Sequence, residues 1–552
     1  MGIVSTGVVF LKFAFLSAAR SSSLGKRVAV VGAGPAGLSA AGYLACRNYE
    51  VDVYDKLPAP GGLMTFAIPS HRIRPERVLE GCRDLEGNFG VKFHLRRKAG
   101  SSRSRDEGDE FAVDAVDIEK LVSGYSAVLI ATGTWRSRHL NVSGEESRNV
   151  LSALEFLHRI KLAELGYASY DVRCVGRVVV VGAGLSAVDA AETALMKGAE
   201  EVYLTYRRTI KEAPAGSYRI KELSQRGVKF IELAQPTRIV AEGGEARAVE
   251  FTRMRLGEPD ETGRPKPVPI PGTGFTLEAD LVVTAVGELP TPPAGSEMLV
   301  RYLGTDGRIM VEKDYRVPET NIYAAGDVVS GPTKIGLAVD SALRAARSLD
   351  LMLTGEMPSI GEILKSSPVR ELVLEFVRWD GSVEGSLCRF LGVNAGVDAG
   401  RCLSSAPFLR VFDYGKCIGC ETCSNVCSFV HEGRSLIKIQ KTGEGLVFPT
   451  ACMHCSNAKC VSACKRNAIR RGPLGEILID YTKCNNCLDC MHSCPVKAIR
   501  IRGGSVVNCD LCKPLRDRGL RPACMAMCPS DAVTLYISSS TSTYANTDVW
   551  NR

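Results

Sequence analysis

Short apolar runs, each followed by a glycine-rich turn and an alanine-rich stretch, recur along the chain from Arg27 to about residue 350. Apolar runs of about four to eight residues between turn signals are typical of strands that are buried on both faces. The alanine-rich stretches between them are long enough for helices. Because strands that alternate with helices build parallel sheets, we expect an α/β fold over this part of the chain.

The first glycine-rich turn follows the apolar run Arg27–Val31 and has the pattern G-x-G-x-x-G. In a strand–turn–helix setting, the first glycine permits the tight turn and the second lets the backbone approach a pyrophosphate. The third lets helix and strand pack closely. The helix N-terminus offers free N–H groups to the phosphate, and a carboxylate after the next strand can accept hydrogen bonds from a ribose. The predicted dinucleotide-binding residues are Gly32, Gly34, Pro35, Ala36, Gly37 and Asp55.

A second turn of this kind follows the apolar run 178–181 and has alanine in place of the third glycine. The next strand ends in two arginines instead of an acid. An acid would repel the 2′-phosphate of NADPH, whereas arginine would pair with it. The first site therefore suits FAD and the second suits NADPH better than NADH; the alternative is that both arginines are solvated surface charges. The residues predicted here are Gly182, Gly184, Ser186, Ala187, Arg207 and Arg208.

Two different dinucleotide sites, in two interleaved Rossmann-like domains, predict hydride transfer between nicotinamide and flavin. Residues 26–353 also resemble the small subunit of glutamate synthase in four motifs, which occur in the order Pro60-Gly61-Gly62-Leu63-Met64, Ala131-Thr132-Gly133, Tyr206-Arg207-Arg208 and Ala324-Ala325-Gly326-Asp327. The resemblance implies that Asp327 binds the ribityl chain of FAD. It implies that further contacts to FAD come from Gly62, Leu63, Ala131, Thr132, Gly133 and Gly326.

Two features depart from the families that share this layout. The glutamate synthase subunit usually carries an N-terminal helical domain with its own clusters, whereas about 25 residues precede the first strand here. Disulfide reductases need a redox-active cysteine pair near the flavin, but Cys46, Cys82 and Cys174 form no such spacing. A dithiol route is therefore not expected.

Sixteen of the 21 cysteines fall between Cys417 and Cys528, in four groups. The first and third groups have the spacing C-x₂-C-x₂-C-x₃-C of bacterial ferredoxins, in which three thiolates hold one cubane and the fourth ligates a neighbouring cluster. Zinc is the alternative, but it usually takes two C-x₂-C pairs separated by a longer loop. The groups are Cys417, Cys420, Cys423 and Cys427; Cys452, Cys455, Cys460 and Cys464; Cys484, Cys487, Cys490 and Cys494; and Cys509, Cys512, Cys524 and Cys528.

Taken together, the four groups resemble the four-cluster subunits that serve molybdenum and tungsten oxidoreductases. The resemblance implies an α+β ferredoxin-like domain with four [4Fe–4S] clusters, in which the first group pairs with the fourth and the second with the third. His454 is expected to pack or hydrogen-bond, because its group already has four cysteines. The implied ligand sets are Cys417, Cys420, Cys423 with Cys528; Cys509, Cys512, Cys524 with Cys427; Cys452, Cys455, Cys460 with Cys494; and Cys484, Cys487, Cys490 with Cys464.

The net charge of +8 is a modest excess on 552 residues and is not concentrated enough to predict a nucleic-acid partner. The apolar first 20 residues carry Lys12 inside the run, so we interpret them as an N-terminal extension, with a weak membrane anchor as the alternative. The predicted organisation is an extension 1–25, an FAD-binding domain 26–144 and 275–353, an NAD(P)-binding domain 145–274, a linker 354–406, a ferredoxin domain 407–537 and a tail 538–552.

The sequence therefore predicts a cytoplasmic NAD(P)H-dependent flavin and iron–sulfur oxidoreductase. We expect it to exchange electrons with ferredoxin or with a separate catalytic subunit of molybdenum or tungsten type, in a hetero-oligomer. No catalytic acid, base or nucleophile is predicted, since hydride transfer needs none. The alternatives are a small-subunit-like protein that supplies a glutamate-forming large subunit, and a cluster-bearing scaffold with a vestigial flavin fold.

Overall fold

The computed structural model describes residues 12–101, 106–170, 174–260, 263–366, 377–378, 408–413, 415–443, 445–455, 457–472 and 475–537. The predicted tail 538–552 and most of the predicted linker, including Cys388 and Cys402, lie outside these residues.

Five parallel strands form the first sheet, and apolar side chains cover both of its faces. Val28 and Val30 pack in the same core as the helices Pro35–Cys46 and Ile335–Thr354, whereas Ala29 and Val31 face the opposite core. Strands buried on both faces are continuous apolar runs, which is the pattern seen in the sequence. In sheet order, the strands are Ile322–Ala324, Ala127–Ile130, Arg27–Val31, Glu50–Tyr54 and Lys92–His94.

The strand order creates a crevice beside the first strand. From Arg27–Val31 the chain builds outward on one side and then crosses to Ala127–Ile130 on the other. Open parallel sheets bind ligands beyond the carboxyl ends of the strands at such a reversal. The turns that leave these two strands contain Gly32 and Ala131, so two predicted FAD motifs meet there.

The second sheet is also five-stranded and parallel, which confirms the predicted α/β class. The helix Leu185–Met196 packs against it through a row of buried alanines that includes Ala187, Ala190 and Ala191. In sheet order, its strands are Lys229–Ile231, Glu201–Thr205, Arg177–Val181, Leu281–Thr284 and Val150–Ser152.

A long antiparallel sheet, which the sequence pattern did not predict, covers one face of the second sheet. Its strands are Ala234–Glu242, Glu245–Pro259 and Pro265–Glu278, and Phe251 packs with Val179 in the shared core. The predicted boundary between residues 274 and 275 therefore falls inside a strand. Leu281–Thr284, which that division gave to the FAD-binding domain, belongs to the second sheet, because the chain completes that sheet before it crosses back.

The cysteine-rich region is built from short two-stranded ladders and short helices, as an α+β ferredoxin-like fold requires. The antiparallel pairs are Lys438–Lys441 with Val447–Thr450, Ile469–Arg471 with Ile477–Ile479, Arg500–Arg502 with Ser505–Val507, and Phe408–Phe412 with Val533–Ile537, the last of which also pairs with Val377–Arg378. The helices are Thr422–Val430, Lys459–Ser462, Asp489–Ser493, Lys513–Arg516 and Ala523–Ala526.

The remaining elements lie before residue 367. The helices not yet given are Leu63–Phe66, Pro75–Phe89, Ile118–Gly124, Ala153–Glu164, Ser217–Gln225, Glu297–Val300, Asp327–Ser330 and Ile360–Ser366, with 3₁₀ turns at Asp109–Phe111 and Ile210–Glu212. Two minor strand pairs join Arg97–Ala99 to Asp114–Val116 and Arg136–Ser137 to Glu288–Leu289.

The N-terminal segment and the cysteine-rich region share one hydrophobic core with the first sheet. Phe15 contacts the ring of Phe429 edge-on, with centroids 6.4 Å apart, and Phe429 also meets Tyr43 of the helix Pro35–Cys46. Burial in this core explains the apolar character of residues 13–18. In the part of the chain that the structure describes, no helix has the length and apolarity needed to cross a bilayer.

Candidate flavin, nucleotide and iron–sulfur sites

A cavity of about 910 Å³ runs between the two sheets. Ligand pockets in proteins are about 300 to 1,000 Å³, so the cavity lies near the upper end of that range. Three predicted site residues, Gly37, Ala187 and Gly326, do not line it. The predicted residues that line it are Gly32, Gly34, Pro35, Ala36, Asp55, Gly62, Leu63, Ala131, Thr132, Gly133, Gly182, Gly184, Ser186, Arg207, Arg208 and Asp327.

The first glycine turn has a different constraint at each glycine. Gly32 has φ +106°, and a Cβ there would lie under 3.0 Å from the carbonyl of Ala131. A Cβ at Gly37 would lie equally close to the carbonyl of Gly32, whereas one at Gly34 would meet no protein atom within 4 Å. Gly32 and Gly37 are therefore required by the fold, and the open space at Gly34 faces the cavity.

Asp55 holds the first turn in place. Its Oδ2 accepts a hydrogen bond from the N–H of Ala33 at 2.5 Å, and its Oδ1 accepts one from Leu57 at 2.8 Å. Burial raises the pKa of the Asp55 carboxyl, and the two N–H groups oppose that rise. The side chain both orders the turn and borders the cavity.

The motifs from the glutamate synthase resemblance surround the first turn. The N–H of Gly61 donates to the carbonyl of Ala33 at 2.8 Å, and Gly62 lies against Gly34. Thr132 Oγ1 is buried and has no hydrogen-bond partner among the described residues. Because a buried hydroxyl normally has a partner, this atom and the open side of Gly34 fit a bound dinucleotide.

The second turn repeats the geometry of the first. Gly182 has φ +136°, and a Cβ there would lie under 3.0 Å from the carbonyl of Ala285, while Gly184 again opens to the cavity. Ala187, which replaces the third glycine, is fully buried against the sheet. Ser186 donates from Oγ to Glu288 Oε1 at 3.2 Å, so the turn also holds an acid of the cavity wall.

The two predicted arginines of the second site differ in their surroundings. Arg208 is buried and donates to the carbonyl of Pro265 at 2.7 Å and to Asp260 Oδ2 at 3.0 Å. Arg207 is exposed at the cavity wall. Of the two, Arg207 therefore has the side chain that is open to the cavity, and Arg208 fixes the long antiparallel sheet against the site.

Arg264 is a third cation at this wall, which the sequence analysis missed. It lies between the strands Glu245–Pro259 and Pro265–Glu278, and it donates to the hydroxyl of Tyr206 at 2.8 Å and to the carbonyl of Glu212 at 2.6 Å. No local motif marks it, because the antiparallel sheet brings it to the site from a distant part of the chain.

Two carboxyls, Asp327 and Glu288, line the cavity between the two turns. Burial raises the pKa of Asp327 to about 6, partly offset by a hydrogen bond from Thr333 Oγ1 at 2.6 Å. Burial also raises the pKa of Glu288, which Ser186 opposes. In both acids burial outweighs the opposing interactions, so each resists ionisation in the cofactor-free protein.

We expect Asp327 to make the cofactor-free protein less stable as the pH rises. A carboxyl whose pKa is raised on folding binds more protons in the folded state, so stability is lost between about pH 4 and about pH 6. In Asp327→Asn that loss should be absent, so the variant gains on the wild type across this window in thermal melts. Asp114→Asn, at an exposed carboxylate, is the control. If the melting temperatures of the wild type and Asp327→Asn change equally across this pH range, the raised pKa of Asp327 is contradicted.

The first cysteine group borders the same cavity. Ile418, Gly419 and Cys420 line it, and the carbonyl of Cys420 accepts a hydrogen bond from the N–H of Gly336 at 3.0 Å. Lys334, also at the cavity wall, pairs with Glu421 at 2.5 Å. The backbone of the first cysteine loop is thus fixed to the N-terminal end of the helix Ile335–Thr354.

Cysteines of different groups line the same cavities. One cavity is lined by the set Cys417, Cys420, Cys423 and Cys528, and another by Cys464, Cys484, Cys487 and Cys490. Burial raises the pKa of Cys512 well above its usual value, and the field of Cys524, Cys427 and Cys509 adds to the rise. The pKa of Cys460 is raised in the same way, with Cys494 as the nearest thiol contributor. Two of the implied sets therefore line one cavity each, and Cys512 and Cys460 each lie within electrostatic range of a thiol from another group.

Backbone N–H groups point at the last cysteine of each group that is followed by an alanine four residues later. Ala468, Ala498 and Ala532 donate to Cys464, Cys494 and Cys528 at 3.3, 3.3 and 3.2 Å. The residues before these alanines, Asn467, Lys497 and Asp531, all have positive φ. Backbone N–H donors to sulfur tune metal-bound thiolates, so these residues fit iron–sulfur clusters.

Within the described residues, no three His, Cys, Asp or Glu side chains are arranged to hold a single metal ion. A zinc ion draws its ligands to about 2.0 to 2.3 Å from one point, whereas a cubane spreads four thiolates over four irons. His454 is buried, and its Nδ1 accepts a hydrogen bond from the N–H of Ile477 at 3.1 Å.

The three described cysteines that precede the cysteine-rich region lie away from the cavity. Cys46, Cys82 and Cys174 are buried, and none of them lines it. Burial raises the pKa of Cys46 to about 12 and that of Cys174 to about 11. Their thiols are therefore unsuited to dithiol chemistry with a flavin.

Fold and site together define a reductase with one flavin and one nicotinamide site, joined to an iron–sulfur region. Residues 26–342 match the family model described as pyridine nucleotide-disulphide oxidoreductase, and the chain belongs to that family. Residues 443–537 match the model described as a 4Fe-4S dicluster domain. FAD, NADP(H) and iron–sulfur clusters are therefore its cofactors.

Curated relatives are subunits of larger oxidoreductases. The beta subunit of the NADP(+)-dependent formate dehydrogenase of Moorella thermoacetica is 38% identical over 340 residues, which are 60% of this chain and 44% of that protein. The beta subunit of the NADPH-Fe(3+) oxidoreductase of Geobacter sulfurreducens is 31% identical over 59% of this chain and 50% of its own length. The chain thus spans about half the length of these relatives.

Two further comparisons each cover about 60% of this chain. The small chain of glutamate synthase [NADPH] from Azospirillum brasilense is 33% identical over 342 residues, 60% of this chain and 67% of that protein. The solved structure of FprA, an oxidoreductase of Mycobacterium tuberculosis, superposes with a TM-score of 0.50 at 20% identity over 62% of this chain and 90% of FprA. The second comparison supports the fold alone.

Proposed function

We propose that this chain oxidises NADPH at FAD and passes the electrons singly through four [4Fe–4S] clusters to a separate redox protein. The observation that carries the proposal is one cavity that contains both glycine turns and reaches Cys420. Hydride transfer needs nicotinamide and flavin in contact, and a shared cavity allows it. Bound FAD would supply the conversion between a hydride and single electrons, and the clusters would supply the one-electron path.

In this proposal each residue positions a group and none donates or accepts a proton in catalysis. The helices Pro35–Cys46 and Leu185–Met196 direct their N-termini at the two pyrophosphates, and Gly34 and Gly184 leave the space that the phosphates need. Asp327 and Arg207 both line the cavity, and the proposal assigns Asp327 to the flavin and Arg207 to the nicotinamide cofactor.

We assign the cluster ligands to the four sets implied by the resemblance. The two cysteine-lined cavities, the fields around Cys512 and Cys460, and the N–H donors to Cys464, Cys494 and Cys528 support these sets. The set with Cys420 borders the flavin cavity, so electrons enter there.

The test is an anaerobic NADPH titration of purified protein with measured contents of FAD, iron and sulfide. We expect the flavin absorbance to bleach and electron paramagnetic resonance signals of reduced [4Fe–4S] clusters to follow, with about sixteen irons per chain at four per cluster. Zinc in place of iron, or a flavin that NADPH does not bleach, would contradict the proposal.

For the partner, the proposal is a separate catalytic subunit of molybdenum or tungsten type, or ferredoxin. The formate dehydrogenase and Fe(3+) oxidoreductase relatives are beta subunits, which supports a partner chain. The second candidate is a glutamate synthase role, favoured by the small-chain relative. Anaerobic pull-down separates them, since the second requires a glutamine-using large subunit.

Sixteen clustered thiols suit a reducing compartment, and we propose the cytoplasm.

Cofactor choice gives a third test. Arg207→Ala should raise the KM for NADPH about tenfold and leave the KM for NADH unchanged, because it removes one charge-assisted contact to the 2′-phosphate. Arg208→Ala and Arg264→Ala should loosen the antiparallel sheet, because both arginines donate hydrogen bonds to backbone carbonyls. Arg247→Ala, an exposed arginine on the same sheet, is the control. Equal losses with NADPH and NADH in Arg207→Ala would contradict phosphate pairing.

A further inference from the structure

The cluster region has a buried end and an exposed end. Cys420 borders the flavin cavity and lies on a loop that packs against Gly336. At the other end, Cys487 is the exposed one among the cysteines that the structure describes. Its neighbours Asn485 and Asn486 are exposed as well. If electrons enter at the buried end, the loop around Cys487 is where they are accessible to another protein.

Cationic side chains surround this exposed loop. Arg466 borders the same cavity as Cys464, Cys484 and Cys487. Lys465 has a side chain 88% exposed, and Lys483, beside Cys484, is 60% exposed. These three residues come from two different cysteine groups, and the pairing of those groups around one cavity brings them together.

A fourth cation comes from the strand pair Arg500–Arg502 and Ser505–Val507. Asn486 donates from its side-chain amide to the carbonyl of Gly504 at 3.3 Å and accepts from the N–H of Val506 at 3.0 Å. These bonds fix the hairpin to the cysteine loop. Arg502, at the end of the hairpin strand, is exposed beside them. We call Lys465, Arg466, Lys483 and Arg502 the basic rim.

Among the described residues, carboxylates lie within ion-pair distance of two of the four rim cations. Asp489 lies 3.9 Å from Lys465 and Asp480 lies 3.7 Å from Lys483, and both acids are less exposed than their lysines. Two cations, Arg466 and Arg502, remain without an ion pair among the described residues. The exposed Tyr481 and Ile501 supply apolar area next to the charges. A charged surface with some apolar contact is typical of transient redox interfaces.

We propose that the basic rim is the docking surface for a separate redox protein with an acidic face, whose one-electron centre comes close to the cluster held by Cys464, Cys484, Cys487 and Cys490. The inference rests on the proposed function and specifies its partner. One electron leaves the reduced cluster and reduces one oxidised partner centre. Each NADPH supplies two electrons, so two partner molecules are reduced in turn.

Electrostatic docking predicts a salt-dependent rate. Opposite charges raise the association rate at low ionic strength, and salt screens them over about 10 Å. The probe is rubredoxin, a small acidic one-electron carrier, with cytochrome c as the basic comparison. We expect NADPH-dependent reduction of rubredoxin to fall about tenfold between about 20 mM and about 300 mM salt, and that of cytochrome c to stay level or rise.

Charge reversal localises the surface. Lys465→Glu, Arg466→Glu and Lys483→Glu combined should slow rubredoxin reduction about tenfold at low salt, with flavin bleaching by NADPH unchanged. The control combines Lys92→Glu, Lys120→Glu and Lys313→Glu, three exposed lysines of the flavin half. Because Lys465 and Lys483 adjoin cluster ligands, iron content is measured in each variant, and single Lys465→Gln and Lys483→Gln variants serve if loading falls.

Zero-length carbodiimide cross-linking gives a readout that needs no turnover. It should join rubredoxin carboxylates to Lys465 or Lys483, as identified by mass spectrometry, and high salt should suppress the product. Cross-links confined to the flavin half, or rates indifferent to salt and to charge reversal, would overturn the docking surface. If NADPH fails to bleach the flavin in the wild type, the proposed function fails instead.

Discussion

Gly34→Ala is expected to yield a folded protein that cannot retain FAD. Gly34 has φ −77°, which alanine adopts freely, and a Cβ there would meet no protein atom within 4 Å. The methyl group would therefore occupy only the space that a pyrophosphate needs. We expect the unfolding free energy of the cofactor-free protein to change by less than about 0.5 kcal/mol. Bound flavin, measured from the absorbance of the purified protein, should fall to near zero.

Two variants make this prediction specific. Gly184→Ala, at the matching open position of the second turn, should keep FAD but lose NADPH binding, measured by titration of the oxidised protein. Gly37→Ala should fail for a different reason, since its methyl group would collide with the carbonyl of Gly32 and cost about 1 to 3 kcal/mol of stability. Normal FAD content in Gly34→Ala, or loss of FAD in Gly184→Ala, would contradict the assignment of the first turn to FAD and the second to NADPH.

Gly336→Ala is expected to separate the first cysteine loop from the flavin cavity. A Cβ at Gly336 would lie under 3.0 Å from backbone atoms of Cys420, Glu421 and Thr422, and backbone yields poorly. The loop must move outward, which weakens the hydrogen bond from Gly336 to Cys420. Stopped-flow mixing with NADPH should show flavin bleaching at the wild-type rate, followed by cluster reduction slowed at least about tenfold.

The control for Gly336→Ala is Gly87→Ala, in the helix Pro75–Phe89. Both glycines are helical, but a Cβ at Gly87 would meet no atom within 4 Å, so this change should be neutral or slightly stabilising. Rapid-freeze electron paramagnetic resonance distinguishes slow cluster reduction from lost clusters. Unaltered cluster reduction in a Gly336→Ala variant whose first cysteine loop is displaced in its crystal structure would contradict electron entry at Cys420.

Local signals predicted the parts of the sites that lie on one stretch of chain. The first strand, the turn at Gly32 and the helix that follows are contiguous, so the pattern of apolar residues and glycines was sufficient to place them. The same holds for the second turn. The pairing of the cysteine groups comes from a resemblance, and cysteines of different groups line the same cavities in the structure.

The features that were missed depend on residues distant in sequence. Arg264 reaches Tyr206 only because the long antiparallel sheet folds back over the second sheet, and nothing around Arg264 marks it as a site residue. Leu281–Thr284 has the same apolar pattern as strands of either sheet, so its partner could not be predicted from composition. Gly336 resembles any helical glycine until the loop of Cys420 is placed on it.

The hydrophobic core shared by the flavin half and the iron–sulfur half limits the use of either half alone in engineered fusion proteins. Phe429 and Val426 of the iron–sulfur half are buried in one core with Tyr43 and Leu343 of the flavin half, and Phe15 of the N-terminal segment packs edge-on against Phe429. If the chain were cut in the linker and the two halves were separated, these apolar side chains would be exposed on both fragments. A fusion protein that contains only the iron–sulfur half would need polar substitutions at these positions to remain soluble.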